Sequence, residues 1–378
     1  MTPRLLSRID DLSEGDWNTL EGTDTAFTCH QFLSALEFSG CVSSAKGWVP
    51  SHLVWEDQGE LLAAMPLYRK YHSYGEYVFD WSWAEAFQQT GQSYYPKLLC
   101  SIPYTPVPGQ RLFFRGDQSE IDLWRESLNF LKQKLEKENM SSLHLLFPES
   151  DLESSDESLK LLRRQDVQFV WNNKDFQHFD DFLAVLKSSK RKQIRRERRK
   201  IEEQGIEVSV LQGREIDPES LAFFCMCYQA TYIKKSGHAG YLNDGFFQRL
   251  YKVMPERLLL VVAHKAGKNL GCALFFVDKN QLSGRYWGCV EDVDCLHFEL
   301  CYYQGIDFCI SHNLGIFNPG TQGEHKLVRG FEPLRTRSYH LFTHVQFSEA
   351  VRKALVQEEN YIDAYEVSAK NHLPFRSN

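Results

Sequence analysis

Twice along the chain the residue pattern spells the same order of elements, and that repetition constrains the fold more than any single motif. In the first half, residues 5–9 read as a strand, 14–20 and 29–38 as short helices, and 52–55, 61–71 and 76–79 as three strands. Glu56-Asp57-Gln58-Gly59 is a turn sequence between the first two of those strands, so an antiparallel meander is expected. Residues 120–139 have the spacing of an amphipathic helix and 143–147 that of a strand, and 158–165 and 167–171 repeat helix then strand. The second half follows the same plan. A helix begins near Asp180, 206–211 is a strand, and Asp217-Pro218 supplies an N-cap and a first-turn proline for a helix through Tyr232. A short helix near Asn243 precedes a second meander of 258–264, 270–277 and 282–289. Helix 295–313, strand 315–318, a strand near 339–347 and a helix over 348–368 complete the chain.

A chain of 378 residues exceeds what one core usually organises, so two domains are expected, residues 1–175 and 176–378. The fold class is mixed α/β (α+β), each domain a largely antiparallel sheet flanked by helices. Hydrophobic residues at 43% and aromatics at 13% supply compact cores and argue against disorder. A formal net charge of -7 excludes a general nucleic-acid binder and leaves only local basic patches for anionic ligands. The longest apolar run, 258–263, is too short to cross a bilayer, and residues 1–17 hold no apolar segment of signal-peptide length. A cytoplasmic protein with no transmembrane segment is expected. The ten cysteines include no Cys-x-x-Cys pair and fit reduced thiols packed as small hydrophobes.

Residues 282–332 concentrate the candidate chemistry. A strand, a helix and a second strand lead into a loop, 322–331, in which Gln, Glu, His, Lys and Arg alternate with glycine. Leu296, Leu300, Tyr303, Ile306 and Ile310 recur at helical spacing and account for the helix as a buried element; nothing comparable accounts for the loop. Lys326 and Arg329 among Gly320, Gly323 and Gly330 suit phosphate contact, with solvated surface charge as the competing reading. His297 and Cys301 are one helical turn apart with Glu299 between them, but the spacing matches no dedicated metal motif and no metal is expected. Residues 187–200 hold nine Lys/Arg and one Glu; a tRNA or an anionic lipid precursor fits such a run, and so does a solvated basic helix paired with Glu197, Glu202 and Glu203. The aromatic, Pro/Gly-rich region 80–114 reads equally as a functional loop or as a wrap over a sheet.

Several strings resemble one family. Gly75-Glu76-Tyr77-Val78-Phe79-Asp80-Trp81, Tyr94-Tyr95-Pro96-Lys97-Leu98, Arg285-Tyr286-Trp287-Gly288, His297-Phe298-Glu299 with Cys301-Tyr302-Tyr303-Gln304-Gly305, and Gln322-Gly323-Glu324-His325-Lys326 with Arg329-Gly330-Phe331 look like the FemAB-like family of bacterial N-acyltransferases. The element order of each half resembles the GNAT acyltransferase fold, so the resemblance implies two tandem GNAT-like domains. Fem relatives transfer amino acids from aminoacyl-tRNA to amines on peptidoglycan precursors. The resemblance therefore implies acyl or aminoacyl transfer, from acyl-CoA or aminoacyl-tRNA as donor substrate, to a small-molecule or cell-envelope precursor amine, with no tightly bound cofactor. A non-catalytic module recognising a peptidoglycan fragment is the alternative. Asn318 stands before Pro319-Gly320 where the resemblance leads one to expect an acidic residue.

Amide formation needs a neutral amine, and an alkyl amine with a pKa near ~10 must lose a proton first. Glu324 and His325 are the candidate bases, and Tyr286 the candidate group to protonate a leaving group. Arg285, Lys326, Arg329, Gly323, Glu299 and Tyr303, together with Glu76, Asp80, Tyr94 and Lys97 from the first half, are the residues the resemblance assigns to substrate. An acetyl-CoA enzyme would place a Gly-rich pyrophosphate loop after the second meander, and Glu291-Asp292-Val293-Asp294 stands there instead, repelling such an anion.

Overall fold

In the computed structural model, which describes residues 2–152, 160–321 and 323–376, the chain divides into two compact units. Unit 1 is Met1–Asp166 with Arg335–Ala364, and unit 2 is Val167–Leu334 with Tyr365–Asn378. The division differs from a contiguous 1–175 and 176–378, because the chain returns to unit 1 after residue 334.

Unit 1 holds β1 (Thr2–Leu6), β2 (Trp48–Pro50), β3 (His52–Asp57), β4 (Glu60–Met65), β5 (Leu67–Lys70), β6 (Lys97–Cys100), β7 (Phe113–Phe114) and β8 (Ser142–Leu146). One sheet has the order β1-β3-β4-β7. In the other, β2 pairs with β5 and β5 with β6 antiparallel, and β6 pairs with β8 parallel. The single expected strand over 61–71 is two strands because Pro66 has no N–H to give a ladder. The helix Glu120–Lys137 is capped by the Ser119 hydroxyl on the Asp122 amide and buries Leu123, Trp124, Leu128, Leu131 and Leu135. That face joins Leu53, Trp55, Met65, Leu98 and Leu143 in the unit's core.

β9 (Leu162–Asn172) leads into unit 2, which holds β10 (Glu207–Gln212), β11 (Leu258–Lys265), β12 (Lys268–Val277), β13 (Gln281–Cys289) and β14 (Ile316–Asn318), and β15 (Glu332–Phe342) leads out again. The helix expected over 158–165 is absent where residues are described: Leu162–Gln165 are extended in β9, and 153–159 lie outside the described residues. Arg163 and Arg164 there pair with Glu359 and Glu358 of the long helix Val345–Asn371, so their polar spacing serves that helix rather than one of their own.

β10, β11, β12 and β13 pair antiparallel in chain order, and β13 pairs with β14 parallel. Two irregularities interrupt this sheet. β12 and β13 shift register at Leu274/Phe275, so that Leu274 faces Tyr286, Phe275 faces Gly284, and Arg285 is the extra residue of a bulge. β13 pairs with β14 only from Gln281 to Ser283, which leaves the two strands parting beyond Asn318. The helix Pro218–Ser236, capped by Asp217 as its sequence implies, lies directly against β13. A Cβ on Gly288 would sit 2.3 Å from the Cys227 carbonyl oxygen and 2.7 Å from the Thr231 hydroxyl. Gly288→Ala is therefore expected to cost about 2–3 kcal/mol by urea unfolding, since the obstructing atom is backbone and cannot swing away.

Candidate functional site

Where β13 parts from β14, unit 2 has a cavity of about 90 Å³ bounded by Arg285, Tyr286, Trp287, His297, Cys301 and Tyr302, with Pro319 at its edge. The far wall comes from the segment after β13, where the helix Leu296–Phe298 widens into a π-turn over Glu299–Tyr303 before Gln304–Ser311 resumes α. Such a turn inserts a residue into the helical repeat and is frequent at functional sites. Tyr302 lines the cavity, while Tyr303 is buried on another side. The expected continuous helix over 295–313 is thus interrupted at the residues that matter.

His297 stacks edge-on against Trp287 at 4.8 Å and Tyr302 at 5.2 Å. Burial, aided by the neighbouring His325, pushes it down to about 3, so it is a neutral ring at ordinary pH. His325 is exposed, and its Nε2 is 2.7 Å from the Tyr302 hydroxyl. Partial burial first, then Arg329 and Lys326, holds the His325 imidazole below its ordinary value. It is a proton acceptor linked by one hydroxyl to the cavity.

The segment 322–331, read as a loop, is a short helix over Glu324–Arg329 closed by Gly330 at φ 86°. Gln322 lies outside the described residues. Glu324 is exposed and accepts from the Tyr365 hydroxyl at 3.2 Å. Lys326 is buried, and its amine donates to the Gly320 carbonyl at 2.6 Å. Desolvation, reinforced by Arg285 of the cavity wall, lowers that amine to about 7. Arg329 points inward. Its Nη2 meets both Glu197 oxygens at 2.9 Å, Nε donates to Tyr303 at 2.9 Å, Nη1 donates to the His325 carbonyl at 2.9 Å, and the guanidinium lies 3.5 Å from the Phe298 ring centre. Arg329 and Tyr303 are thereby a brace behind the site, with the Tyr303 hydroxyl also donating to Glu197.

Glu299 sits behind the π-turn, accepting from Arg198 at 3.2 Å and Gln304 at 2.7 Å, and its burial raises it above the usual carboxylate value. Tyr286 lines the cavity with its ring packed on Tyr228 at 5.3 Å and Phe247 at 5.7 Å. The basic helix Ser188–Glu203 buries Ile194 and Ile201, and three of its cations are paired: Arg195 with Asp180, Arg198 with Glu299 and Asp307, and Lys200 with Asp294. Lys200 so neutralises part of the acidic junction after β13.

The first-half candidates gather in unit 1. Lys97 is fully buried and donates to Glu76 Oε2 at 2.8 Å, Asp80 Oδ2 at 2.5 Å and Ser73 at 3.1 Å. Glu76 and Asp80 come from an irregular stretch between β5 and the helix Trp81–Gln88, where a strand over 76–79 was expected; Gly75 and Tyr77 at φ 80° and 63° break it and turn Glu76 inward. Burial raises Glu76 to about 7, whereas Lys97 holds Asp80 at about 2 against its own burial.

A polar chain extends from Asp80. An ionised carboxylate only accepts, so Tyr94 donates to Asp80 at 2.6 Å. His144 Nε2 lies 2.8 Å from the Ser142 hydroxyl and 3.3 Å from that of Tyr94. Burial holds His144 neutral, down to about 3, and its Nδ1 meets His340 Nδ1 at 2.6 Å, so one of these two nitrogens carries the proton between them. His340 Nε2 is 2.9 Å from the Ser338 hydroxyl. His144 and His340 escaped the sequence reading, yet a signal existed. Ser142-Leu143-His144 and Ser338-Tyr339-His340 carry the same Ser-x-His pattern, and the two histidines are direct partners in the β8–β15 ladder.

The FemAB-like family model, described as peptidoglycan biosynthesis/recognition, matches residues 8–377. The chain belongs to the FemAB-like family. This FemAB-like protein shares its fold with FemX at 12% identity, over 93% of this chain and 100% of that one, with a TM-score of 0.52. A conserved protein of unknown function from Bacteroides thetaiotaomicron matches at 12% identity over 88% and 98% of the chains, with a TM-score of 0.50. A tandem GNAT protein of the clavulanic acid biosynthesis pathway matches at 10% over 91% and 98%, with a TM-score of 0.49. No curated protein matches the sequence. The mixed α/β architecture of the two units is the one expected from the sequence. Among the described residues no helix is long and apolar enough to cross a membrane, and no group of His, Cys, Asp and Glu could hold a metal ion.

Proposed function

We propose that this FemAB-like protein transfers an acyl or aminoacyl group to a primary amine at the unit 2 cavity. The observation that carries the reading is that Tyr302 lines the cavity and its hydroxyl lies 2.7 Å from His325 Nε2. Tyr302 donates to the neutral imidazole, so its lone pair faces the amine N–H. As the amine nitrogen bonds to the acyl carbon, its proton passes to Tyr302 while Tyr302 gives its own to His325; the donor's ester or thioester bond then breaks, and the imidazolium returns the proton through Tyr302 to the departing oxygen or sulfur. Arg285 in the cavity wall adds positive potential where the carbonyl oxygen gains charge. Glu324, facing Tyr365 instead, is the comparison base.

An aminoacyl ester is the favoured donor over acyl-CoA. Glu291, Asp292 and Asp294 occupy the turn where a pyrophosphate would dock, and Lys190, Arg191, Lys192, Arg196 and Arg199 show no ion pair among the described residues, leaving cations for a nucleic-acid backbone. The acceptor class suggested by the family description is a cell-envelope precursor amine.

The test is a mass-spectrometric transfer assay with aminoacyl-tRNA and acyl-CoA donors and amine-bearing peptidoglycan precursors. Tyr302→Phe and His325→Ala are expected to slow transfer about 10²–10³-fold, with Glu324→Gln near wild type. Because His325 lies below its ordinary value, the acid limb of the rate profile should fall below pH 6.5, the base being available above that limb. Full rates in both Tyr302→Phe and His325→Ala would remove the relay. Saturable binding of envelope fragments with no transfer from any donor would make the protein a recognition module instead.

A further inference from the structure

The helix Pro218–Ser236 is apolar on two opposite faces, and the described residues cover only one of them. Phe224, Cys227, Tyr228 and Thr231 form the covered face: Tyr228 and Phe224 lie against Tyr286 at 5.3 and 6.5 Å, and the Cys227 carbonyl and Thr231 hydroxyl close over Gly288. The other face carries Ala222, Met226, Ala230 and Ile233, all exposed, Met226 at 49% and Ile233 at 57%. A helix apolar on both sides is ordinarily buried on both.

The order of residues along the exposed face says what would cover it. Glu219, Ala222, Met226, Ala230 and Ile233 follow one another at steps of three, four, four and three positions. A heptad seam alternates three and four, whereas these steps read the same in both directions about Met226. At 3.6 residues per turn all five fall within about 40° of one line along the helix. Turning a second copy of the helix end for end about Met226 therefore lays the stripe on itself. Met226 meets Met226, Ala222 meets Ala230, and Ile233 meets the stem of Glu219; the alanines leave room for two helices to approach.

Charge has the same symmetry. Glu219 stands in the first turn and Lys234 in the last, both are exposed, and neither makes an ion pair among the described residues. In the end-for-end arrangement each Glu219 comes beside Lys234 of the second copy, and the two helix dipoles run in opposite directions. With the helices parallel, glutamate would face glutamate and lysine would face lysine.

We propose that the exposed face of the helix Pro218–Ser236 is a homodimer interface, in which two copies of this chain pair these helices antiparallel about a two-fold axis at Met226. The helix has 19 residues and is about 28 Å long. A pair of that length buries less than the roughly 1,200 Å² at which standard interfaces begin, so the dimer is reversible, with a Kd on the order of 10–100 μM. The interface uses no residue of the proposed proton relay and does not rest on the transfer reading.

Sedimentation velocity of the full chain from about 1 to 300 μM tests it, and the wild type is expected to pass from monomer to dimer over that range. Met226→Glu sets two carboxylates against each other on the axis and should leave monomer throughout. Glu219→Lys and Lys234→Glu should each weaken self-association about 10-fold at low salt, because every cross-pair becomes like-charged. An equimolar mixture of those two variants restores both pairs and should associate as tightly as the wild type. All three positions are exposed, so thermal midpoints should not move. A wild type that stays monomeric at the top of the range overturns the proposal, as does a dimer indifferent to Met226→Glu. Loss of the dimer in Met226→Glu without recovery in the mixture of charge variants overturns the antiparallel pairing.

Discussion

Lys97→Met is expected to destabilise the protein by about 3–5 kcal/mol, among the largest effects available from one side chain in unit 1. The methionine fills a similar volume, so the loss is electrostatic. Without Lys97, Glu76 Oε2 loses its 2.8 Å donor and Asp80 Oδ2 loses its 2.5 Å donor while keeping the Tyr94 hydroxyl. Two buried carboxylates would then face each other with Lys70 as the remaining nearby cation. The pH dependence has a definite sign. Asp80, held at about 2 by Lys97, gives the wild type stability that is present above its unfolded value and is lost as pH falls through the folded one. In the variant that benefit is gone, and both carboxylates prefer the protonated state more than the unfolded chain does. The deficit against wild type should be largest near neutral pH and shrink toward pH 4. Urea unfolding at several pH values reads this directly, and Lys97→Met with Glu76→Gln and Asp80→Asn should recover part of the loss. A uniform deficit at all pH values would mean that packing, not charge, is what Lys97 supplies.

How far this could be foreseen depends on which force fixes each element. The helix Glu120–Lys137 and the meander β11–β12–β13 are written in local periodicity and turn residues, and both stand close to where the sequence puts them. The stretch 76–79 alternates like a strand, but its polar members are drawn inward by a lysine some twenty positions later, and only tertiary structure reveals that demand. Candidate residues show the same split. Glu324, His325, Lys326 and Arg329 share one short segment, yet one is exposed beside Tyr365, one faces Tyr302, one a carbonyl and one a half-buried glutamate. Composition signals that such a segment is unusual. It does not say which side chain turns in, because a turn of 3-10 helix sends neighbours in different directions while a strand would alternate them. Tyr302 was hidden for a related reason: Leu296, Leu300, Tyr303, Ile306 and Ile310 are buried as their spacing implies, and Tyr302 in the π-turn lines the cavity on a side that this spacing does not mark.

Arg329→Met should cost about 3–5 kcal/mol, and its effect separates two roles for this arginine. A phosphate-binding arginine would, on removal, weaken donor affinity and leave the thermal midpoint in place. The brace seen here makes the opposite demand. Loss of the guanidinium strands Glu197, which is left with the Tyr303 hydroxyl and Gln193, and it uncouples the His325 carbonyl and the Phe298 face. Arg329→Lys is not a rescue, because a single ammonium cannot meet both Glu197 oxygens, Tyr303 and a carbonyl from one position. Arg329→Met with Glu197→Gln should recover stability, since the stranded charge is then removed. Transfer activity need not return in that pair: the Arg329 Nη1 bond to the His325 carbonyl helps fix the backbone that aims His325 at Tyr302. Recovered stability with low activity would identify Arg329 as a positioning residue for the relay. Recovered activity in full would leave it a structural brace alone, and an unchanged midpoint in Arg329→Met with weakened donor binding would restore the phosphate role.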